Sequence, residues 1–207
     1  MPRTAVPHGL RRRLRPRAGL SYDARMARLP YVDPASAPPE IQETFARLPV
    51  KLNVFRMMAN APTAFRPLLQ LGTAILARQE LPPALRELVI LLVGKRSPAP
   101  YEWTQHVPIA RAAGAGDAQI AAIERETLDA DCFDGRERAT LAAAAELLER
   151  PRLSDGAFAE LARHLSPREI VELILTVGYY MMVARLLEST AVDLDPPAGT
   201  AVVDSLR

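Results

Sequence analysis

Prolines that precede apolar segments are the strongest constraint on how this sequence folds. Proline is tolerated in the first turn of a helix, whereas it disrupts helix interiors and sheet ladders. Segments of this kind begin at Pro39, Pro62, Pro83 and Pro167. After Pro62 the apolar residues recur at helical spacing, which predicts a helix with one buried face. These residues are Phe65, Leu68, Leu69, Leu71, Gly72 and Ile75.

Start and stop signals along the chain predict eight helices and an all-α fold. Ser166, Pro167 and Glu169 form the signature of a capping box ahead of the longest helix, and Gly114 stands where a left-handed helix end is wanted. Residues 82–96 can also be read as a strand, but their length and the flanking prolines favour a helix. We therefore expect a bundle of about seven or eight helices. The predicted helices cover about residues 38–48, 60–75, 82–96, 101–113, 117–126, 135–149, 154–164 and 166–188.

The charge distribution separates the N-terminus from the rest of the chain. Residues 1–25 contain seven arginines and one aspartate, although the formal net charge of all 207 residues is only +2. We expect residues 1–25 to form a basic, disordered extension; a translation start at Met26 and a functional arm are the alternatives. The remainder is mildly acidic, so no nucleic-acid partner is expected. Residues 26–195 are expected to form one helical domain, and residues 196–207 a flexible tail rich in Pro and Gly.

Composition places the chain among intracellular globular proteins. Cys132 is the single cysteine, so no internal disulfide can form and a cytoplasmic location is expected. The apolar stretch Leu88–Gly94 is far shorter than the roughly 20 residues that cross a bilayer, and no membrane association is expected. His8, His106 and His164 lie too far apart in sequence to form a metal-binding helix motif. We therefore expect neither a metal nor a cofactor.

The densest group of functional side chains is the segment Tyr101–His106. Glu102 and His106 are four residues apart, so on a helix they share a face and the carboxylate can orient or charge the imidazole. Histidine exchanges protons near neutral pH, and a nearby carboxylate raises its basicity. The spacing alone also fits an exposed helix pair without a catalytic role. Pro108 either bends the helix beside His106 or lies in the first turns of a helix that begins late.

The segments Arg86–Leu91 and Tyr101–Gly114 closely resemble the central helical hairpin of the carboxymuconolactone decarboxylase family, in the alkylhydroperoxidase D-like superfamily. The resemblance extends over roughly residues 26–195. It implies an oligomeric helical bundle of the alkylhydroperoxidase D-like fold, as a homotrimer or homohexamer with active sites near subunit contacts. Three further segments are similar to the family: Tyr31–Pro34, Leu52–Met57 and Gly178–Arg185.

The resemblance also narrows the chemistry that we expect. In the peroxidase branch the site consists of a glutamate, a Cys-x-x-Cys pair and a histidine. When that pattern is aligned on His106, the glutamate is Glu87, but Ala99 and Glu102 occupy the two cysteine positions. A thiol peroxidase needs one thiolate to attack the peroxide and a second thiol to resolve the sulfenic acid. The chain therefore looks like the branch that lacks the pair, and peroxidase activity of that type is not expected.

The residues that remain are suited to proton transfer and are similar to those of the lactone-decarboxylase branch. The resemblance implies that His106 is the acid–base residue, that Glu87 is its partner or relay, and that Glu102 tunes it. It implies a cofactor-independent enzyme that decarboxylates, opens or isomerises a small carboxylate, lactone or carbonyl compound. A peroxidase-like oxidoreductase and a non-catalytic oligomeric binding protein are the alternatives.

Three more side chains are candidates for substrate binding. Tyr101 offers an O–H to an oxyanion, Trp103 an apolar wall, and Arg86 a cation for a carboxylate. A place in the core or at a subunit contact is favoured for Trp103, and Arg86 is equally suited to solvent or to a subunit contact. Tyr179 and Tyr180 are expected to pack in the core or at an interface.

Overall fold

The computed structural model describes residues 27–204, and every regular element in that part of the chain is an α-helix. The all-α prediction is therefore confirmed. The basic extension predicted for residues 1–25 and the alternative start at Met26 lie outside the described residues. The helices are α1 (Pro39–Ala46), α2 (Asn53–Met58), α3 (Pro62–Arg78), α4 (Pro83–Arg96), α5 (Pro100–Ala112), α6 (Asp117–Glu124), α7 (Gly135–Glu149), α8 (Asp155–Leu161), α9 (Pro167–Thr190) and α10 (Ala201–Asp204).

All eight predicted helices are present, and α2 and α10 are additional. The six residues of α2 have neither a side-chain cap nor a proline at the start, so the helix lacks the signals that mark the longer ones. The four residues of α10 are too few to show an apolar period. The predicted count of seven or eight is thus too low by these two short helices.

The helix ends follow the local signals in the sequence. A proline occupies one of the first two positions of α1, α3, α4, α5 and α9. Ser166 Oγ accepts from the N–H of Glu169, whose carboxylate accepts from the N–H of Ser166, so the capping box is confirmed. Gly114 has a φ of +102°, a conformation that glycine adopts without steric penalty. Because α5 begins at Pro100, Pro108 lies in its interior and the late-start alternative is wrong.

Helix α4 lies at the centre of the bundle. Residues 85–94 are buried without a break, so α4 buries its whole circumference rather than one face. Such a helix is stable only when other elements surround it, and α4 packs against α5, α6, α7 and α9. The strand alternative for this segment is therefore wrong. Arg86 and Glu87 are charged members of this buried run, and their partners belong to the candidate site.

A second apolar cluster forms beside the core around α4. It joins α1, α2 and the start of α3 to the end of α9, and the ring centroids of Phe45 and Phe65 lie 5.0 Å apart within it. Tyr101, near the start of α5, belongs to this second cluster, whereas Ala110, near its end, belongs to the first. Helix α5 therefore runs between the two clusters.

Helix α9 is the longest described helix and is apolar along much of its length. Among the helices of residues 27–204, α9 alone is long and apolar enough to cross a membrane. It has 24 residues, and its most apolar window has a mean hydropathy of 1.7. Of that apolar window, 44% is buried inside the bundle, as in the core helix of a globular protein. The apolar side chains that remain exposed are those of Val171, Ile174, Leu175 and Met182. One face of α9 thus belongs to the core while another stays open.

The C-terminal segment lies against α5. Gln105 Nε2 donates to the carbonyl oxygens of Asp195 and of the following residue, and Gln105 Oε1 accepts from the N–H of Ala198 at 3.0 Å. The Asp195 carboxylate accepts from the hydroxyl of Tyr101. Residues 196–204, which composition assigns to a flexible tail, therefore lie along the domain. Composition does not reveal this placement, because the segment is held by partners on a helix about 90 residues earlier in the chain.

The close approach of α4 and α5 depends on Gly94. A Cβ atom at this position would lie 3.2 Å from Cβ of Glu102 and 3.5 Å from the backbone nitrogen of Trp103. Contacts with Cβ and backbone atoms are not relieved by rotating a side chain, so α5 would have to move. Gly94 therefore sets the distance between the helices that carry Glu87 and His106.

We predict that Gly94→Ala destabilises the protein by about 1–3 kcal/mol, because overpacking between α4 and α5 outweighs the gain in helix propensity. Gly178→Ala is the matched control in the interior of α9, where an added Cβ meets nothing within 4 Å. This control should raise stability by about 0.5–1 kcal/mol. Urea unfolding measures both effects, and equal changes in the two variants would contradict the role of Gly94.

Candidate active site

A cavity of about 500 Å³ lies between α2, α3, α5, α9 and the C-terminal segment. Much of its wall is apolar, with side chains such as Val54, Met58 and Leu69 from α2 and α3. Polar side chains of α5 and α9 interrupt this wall. They are Tyr101, Glu102, Gln105, His106, Tyr179 and Tyr180. An apolar cavity of this size with a few converging polar groups is typical of a small-molecule site.

His106 stands between two buried carboxylates. Its Nδ1 lies 2.8 Å from Oε2 of Glu87, and its Nε2 lies 3.4 Å from Oε2 of Glu102. All three side chains are buried: His106 is 7% exposed, Glu87 is 0% exposed and Glu102 is 5% exposed. The exposed-pair alternative for Glu102 and His106 is therefore wrong. His106 and Glu102 line the cavity, whereas Glu87 contacts the far side of the imidazole.

Arg86 completes this buried group of charges. Its Nε and Nη2 both donate to Oε1 of Glu87 at 3.2 Å, while Oε2 of the same carboxylate binds His106. Arg86 is 3% exposed and does not line the cavity. The expected contact between Arg86 and a substrate is therefore replaced by an ion pair with Glu87. A buried carboxylate needs such partners because leaving it unpaired away from water is costly.

The surroundings of His106 favour the protonated imidazole. Burial by itself lowers the pKa of His106, but the hydrogen bond and charge of Glu87 and the charge of Glu102 outweigh burial and raise it. Burial also raises the pKa of Glu102 to about 7; the His106 charge opposes this rise and the Glu87 charge adds to it. Glu102 can thus hold or release a proton near neutral pH, beside an imidazole whose raised pKa favours its protonated form.

The hydrogen bond to Glu87 gives the two imidazole nitrogens different tasks. A carboxylate accepts hydrogen bonds, so Nδ1 of His106 carries the proton that points to Glu87. Nε2 then faces Glu102 and the cavity, where it is free to give or take a proton. This is the arrangement in which a buried acid orients a histidine for general acid–base chemistry.

Tyr101 lines the cavity, but its hydroxyl is already used. It donates to the Asp195 carboxylate and accepts from the N–H of Val54 at 3.4 Å. The predicted role of Tyr101 as a donor to an oxyanion is therefore not supported by its geometry. Its observed role is to join α2 and the C-terminal segment to α5.

Trp103 is partly buried against the core around α4 and does not line the cavity. Trp103 lies about 100° around the helix from Glu102, on the side of α5 that packs against the core around α4. The predicted apolar wall at the substrate is therefore formed by other residues. The alternative of a core position describes Trp103 better.

Gln105, Tyr179 and Tyr180 are among the cavity-lining side chains that the sequence does not predict as part of the site. The ring of Tyr180 meets the His106 ring edge-on, with centroids 5.0 Å apart at 89°. Tyr179 donates to the carbonyl of Leu68 at 3.2 Å. The sequence shows two adjacent tyrosines in an apolar helix, a pattern that predicts packing but not that the packed rings also border a cavity.

The described part of the chain contains no group of three His, Cys, Asp or Glu side chains placed to hold a metal ion. Cys132 is half-buried and does not line the cavity. The functional groups of the cavity lining are thus a carboxyl, an imidazole, two amides, two threonine hydroxyls and phenols, together with arginines at its rim.

The hairpin of α4 and α5 also lies in the segment that matches a protein family. Residues 62–146, which include Glu87, Glu102 and His106, match the model of the carboxymuconolactone decarboxylase family. This match confirms the resemblance to that family over the helices that carry the site. No curated protein sequence matches the chain.

Solved structures show that the chain has the alkylhydroperoxidase D-like fold. A peroxidase-related protein from Ralstonia eutropha JMP134 with an alkylhydroperoxidase AhpD core is 18% identical, with a TM-score of 0.71 over 83% of this chain and 94% of that one. A peroxidase-related protein from Silicibacter sp. TM1040 is 19% identical, with a TM-score of 0.71 over 91% and 100%. The debrominase Bmp8 is 20% identical, with a TM-score of 0.66 over 86% and 96%.

The raised pKa of Glu102 predicts that stability falls as pH rises. The carboxyl has a pKa of 4.5 in the unfolded chain and about 7 in the folded protein. At a pH between these two values the carboxyl is ionised in the unfolded chain but still protonated in the folded protein. Ionisation therefore favours unfolding, by roughly 3 kcal/mol once both pKa values are passed. The raised pKa of His106 acts in the same direction, since stability is lost as pH rises through its folded value.

We expect Glu102→Gln to flatten this pH dependence, because the amide does not titrate. The free energy of unfolding, measured in urea between about pH 4.5 and pH 7, should fall less steeply in the variant than in the wild type. Glu124→Gln, on the exposed surface of α6, is the control and should keep the wild-type slope. A slope unchanged by Glu102→Gln would show that Glu102 does not titrate in this range.

Proposed function

We propose that this protein is a cofactor-independent acid–base enzyme that transfers a proton at a carbon atom of a small carboxylate, lactone or carbonyl compound. The observation that carries the proposal is His106, held between buried Glu87 and Glu102 at the wall of a cavity of about 500 Å³. Decarboxylation and isomerisation place a proton on carbon, whereas lactone opening uses an acid–base group at the attacking water or the leaving oxygen. The match of residues 62–146 to the carboxymuconolactone decarboxylase family model favours decarboxylation among them.

In a decarboxylation, His106 acts as the proton donor. The bond between the carboxylate and its carbon breaks, carbon dioxide leaves, and the electron pair spreads into an adjacent carbonyl group as an enolate. Nε2 of His106 then gives its proton to the carbon, while Nδ1 keeps its hydrogen bond to Glu87. One proton from solvent restores the imidazolium, so each turnover consumes one proton and releases one molecule of carbon dioxide.

The rim of the cavity supports an anionic substrate. Arg47, Arg66 and Arg78 line it with exposed side chains, and none of them has an ion-pair partner among residues 27–204. Guanidinium groups bind carboxylates through paired N–H donors.

A peroxidase-like oxidoreductase is the second candidate, and the cavity gives it less support. Ala99 and Glu102 occupy the cysteine positions of the peroxidase pattern, and no cysteine lines the cavity. A cysteine-to-alanine variant of the debrominase Bmp8 has been solved with 2,3,4-tribromopyrrole. That complex shows that a protein of this fold binds a ligand of the size of a small ring compound. It does not indicate which reaction this chain catalyses. A non-catalytic binding protein is the third candidate.

The test of the proposed function is His106→Gln. We expect turnover to fall by about 10²- to 10⁴-fold, because glutamine does not exchange protons in this range. The fold should be kept at a lower melting temperature, since the amide N–H2 can still donate to Glu87 but the charge of the imidazolium is lost. His164→Gln is the matched control, since His164 also lies four residues after a glutamate and 3.2 Å from it, but with a side chain 30% exposed. The control should turn over at the wild-type rate.

Candidate lactones and carboxylated lactones are assayed by the release of carbon dioxide and by the change in absorbance on ring opening. An unchanged rate in His106→Gln would remove the histidine from the mechanism. Equal losses in both histidine variants would point to a non-specific effect.

The homo-oligomer implied by the family resemblance, a trimer or hexamer, stays a prediction. The exposed apolar residues of α9 are compatible with burial against a second copy of the chain. Sedimentation equilibrium of the purified chain should report three or six subunits, and a monomer at micromolar concentration would contradict this prediction.

A further inference from the structure

Tyr180 occupies an unusual place in the cavity wall. It lies on α9, is 4% exposed, and meets the His106 ring edge-on at a centroid distance of 5.0 Å. The acid–base chemistry proposed above assigns it no role. It is nevertheless the phenol whose ring packs directly against the imidazole.

Three tyrosines line the cavity, and only one keeps an unused hydroxyl. The hydroxyl of Tyr101 donates to Asp195, and that of Tyr179 donates to the carbonyl of Leu68. For Tyr180 the described part of the chain supplies no hydrogen-bond partner. The Tyr180 hydroxyl oxygen is not among the fully buried unpaired atoms, so it keeps accessible surface, and Tyr180 lines the cavity. A molecule bound in the cavity can supply the missing acceptor.

Burial and the nearby carboxylates keep the hydroxyl of Tyr180 protonated, so that it can donate a hydrogen bond. Burial raises its pKa well above the ordinary value, and the charges of Glu87 and Glu102 raise it further. Tyr180 therefore stays protonated over the whole range in which His106 and Glu102 titrate. A neutral phenol in an apolar wall is the kind of group that stabilises a developing oxyanion without giving up its proton.

The geometry points to Tyr180 as a further catalytic residue: its hydroxyl donates a hydrogen bond to the substrate oxygen on which negative charge develops. This inference rests on the proposed function. In an enolate the charged oxygen is two bonds from the carbon that receives the proton, so the carbon faces Nε2 of His106 while the oxygen faces Tyr180. The electron pair left by carbon dioxide resides on that oxygen and returns when the carbon is protonated. Tyr180 keeps its own proton throughout.

The test uses 4-nitrophenolate as a stable oxyanion in place of the enolate, and 4-nitroanisole as its uncharged counterpart. Binding to the full-length chain is followed by the absorbance shift of each probe, at a pH above the pKa of the phenol. We expect Tyr180→Phe to bind 4-nitrophenolate about 10- to 100-fold more weakly, since a hydrogen bond to a charged group is lost. Its affinity for 4-nitroanisole should not change.

Tyr179→Phe is the matched control, because it removes the neighbouring hydroxyl, which is bonded to backbone. The two variants should behave oppositely in thermal unfolding as well. Tyr179→Phe loses an existing hydrogen bond and should melt lower, whereas Tyr180→Phe loses none and should melt at or above the wild-type temperature.

Equal weakening of both probes in Tyr180→Phe, no weakening of either, or a wild-type chain that does not bind 4-nitrophenolate would each overturn the inference. A larger drop in melting temperature for Tyr180→Phe than for Tyr179→Phe would also overturn it, since the hydroxyl would then have a structural partner. None of these measurements needs turnover, so their failure is distinct from a failure of His106→Gln to lose activity.

Discussion

The structure depends on how one buried carboxylate is paired. Glu87 is fully buried on α4, the most enclosed helix of the bundle, where an unpaired charge is strongly unfavourable. Arg86 on the same helix and His106 on α5 take up its two oxygens. Because the second partner belongs to another helix, satisfying this charge also fixes α5 against α4. Gly94 makes the short distance possible by leaving room for Glu102.

The same pairing prepares the imidazole for chemistry. With Nδ1 committed to Glu87, the other nitrogen faces the cavity beside Glu102. Glu102 stands at a position where peroxidases of this fold carry a thiol, so an oxygen acid of raised pKa replaces a redox group. A carboxyl group exchanges protons, whereas a pair of thiols also exchanges electrons. For this reason the fold shared with peroxidase-related proteins does not by itself decide the reaction.

The cavity itself is built by parts of the chain that come before and after the hairpin. Helices α2 and α3 supply the apolar wall, α9 supplies two tyrosines, and the C-terminal segment passes over α5. That segment is joined to α5 through Gln105 and Tyr101, the immediate neighbours in sequence of His106 and Glu102. One helix thus presents the reactive groups and also anchors the segment that helps to enclose them.

The sequence by itself determined the helices and the pairing of Glu102 with His106, because prolines, caps and four-residue spacing act within a few turns of one helix. Glu87 is 19 residues from His106, and only the resemblance to a family predicts that the two residues act together. Tertiary structure alone decided which phenol is free. Tyr101 and Tyr180 are both buried tyrosines near His106, and their hydroxyls differ because one meets Asp195, 94 residues later, and the other meets the cavity. Contacts between residues so far apart in sequence depend on how whole helices pack, so the spacing of residues within one helix does not predict them.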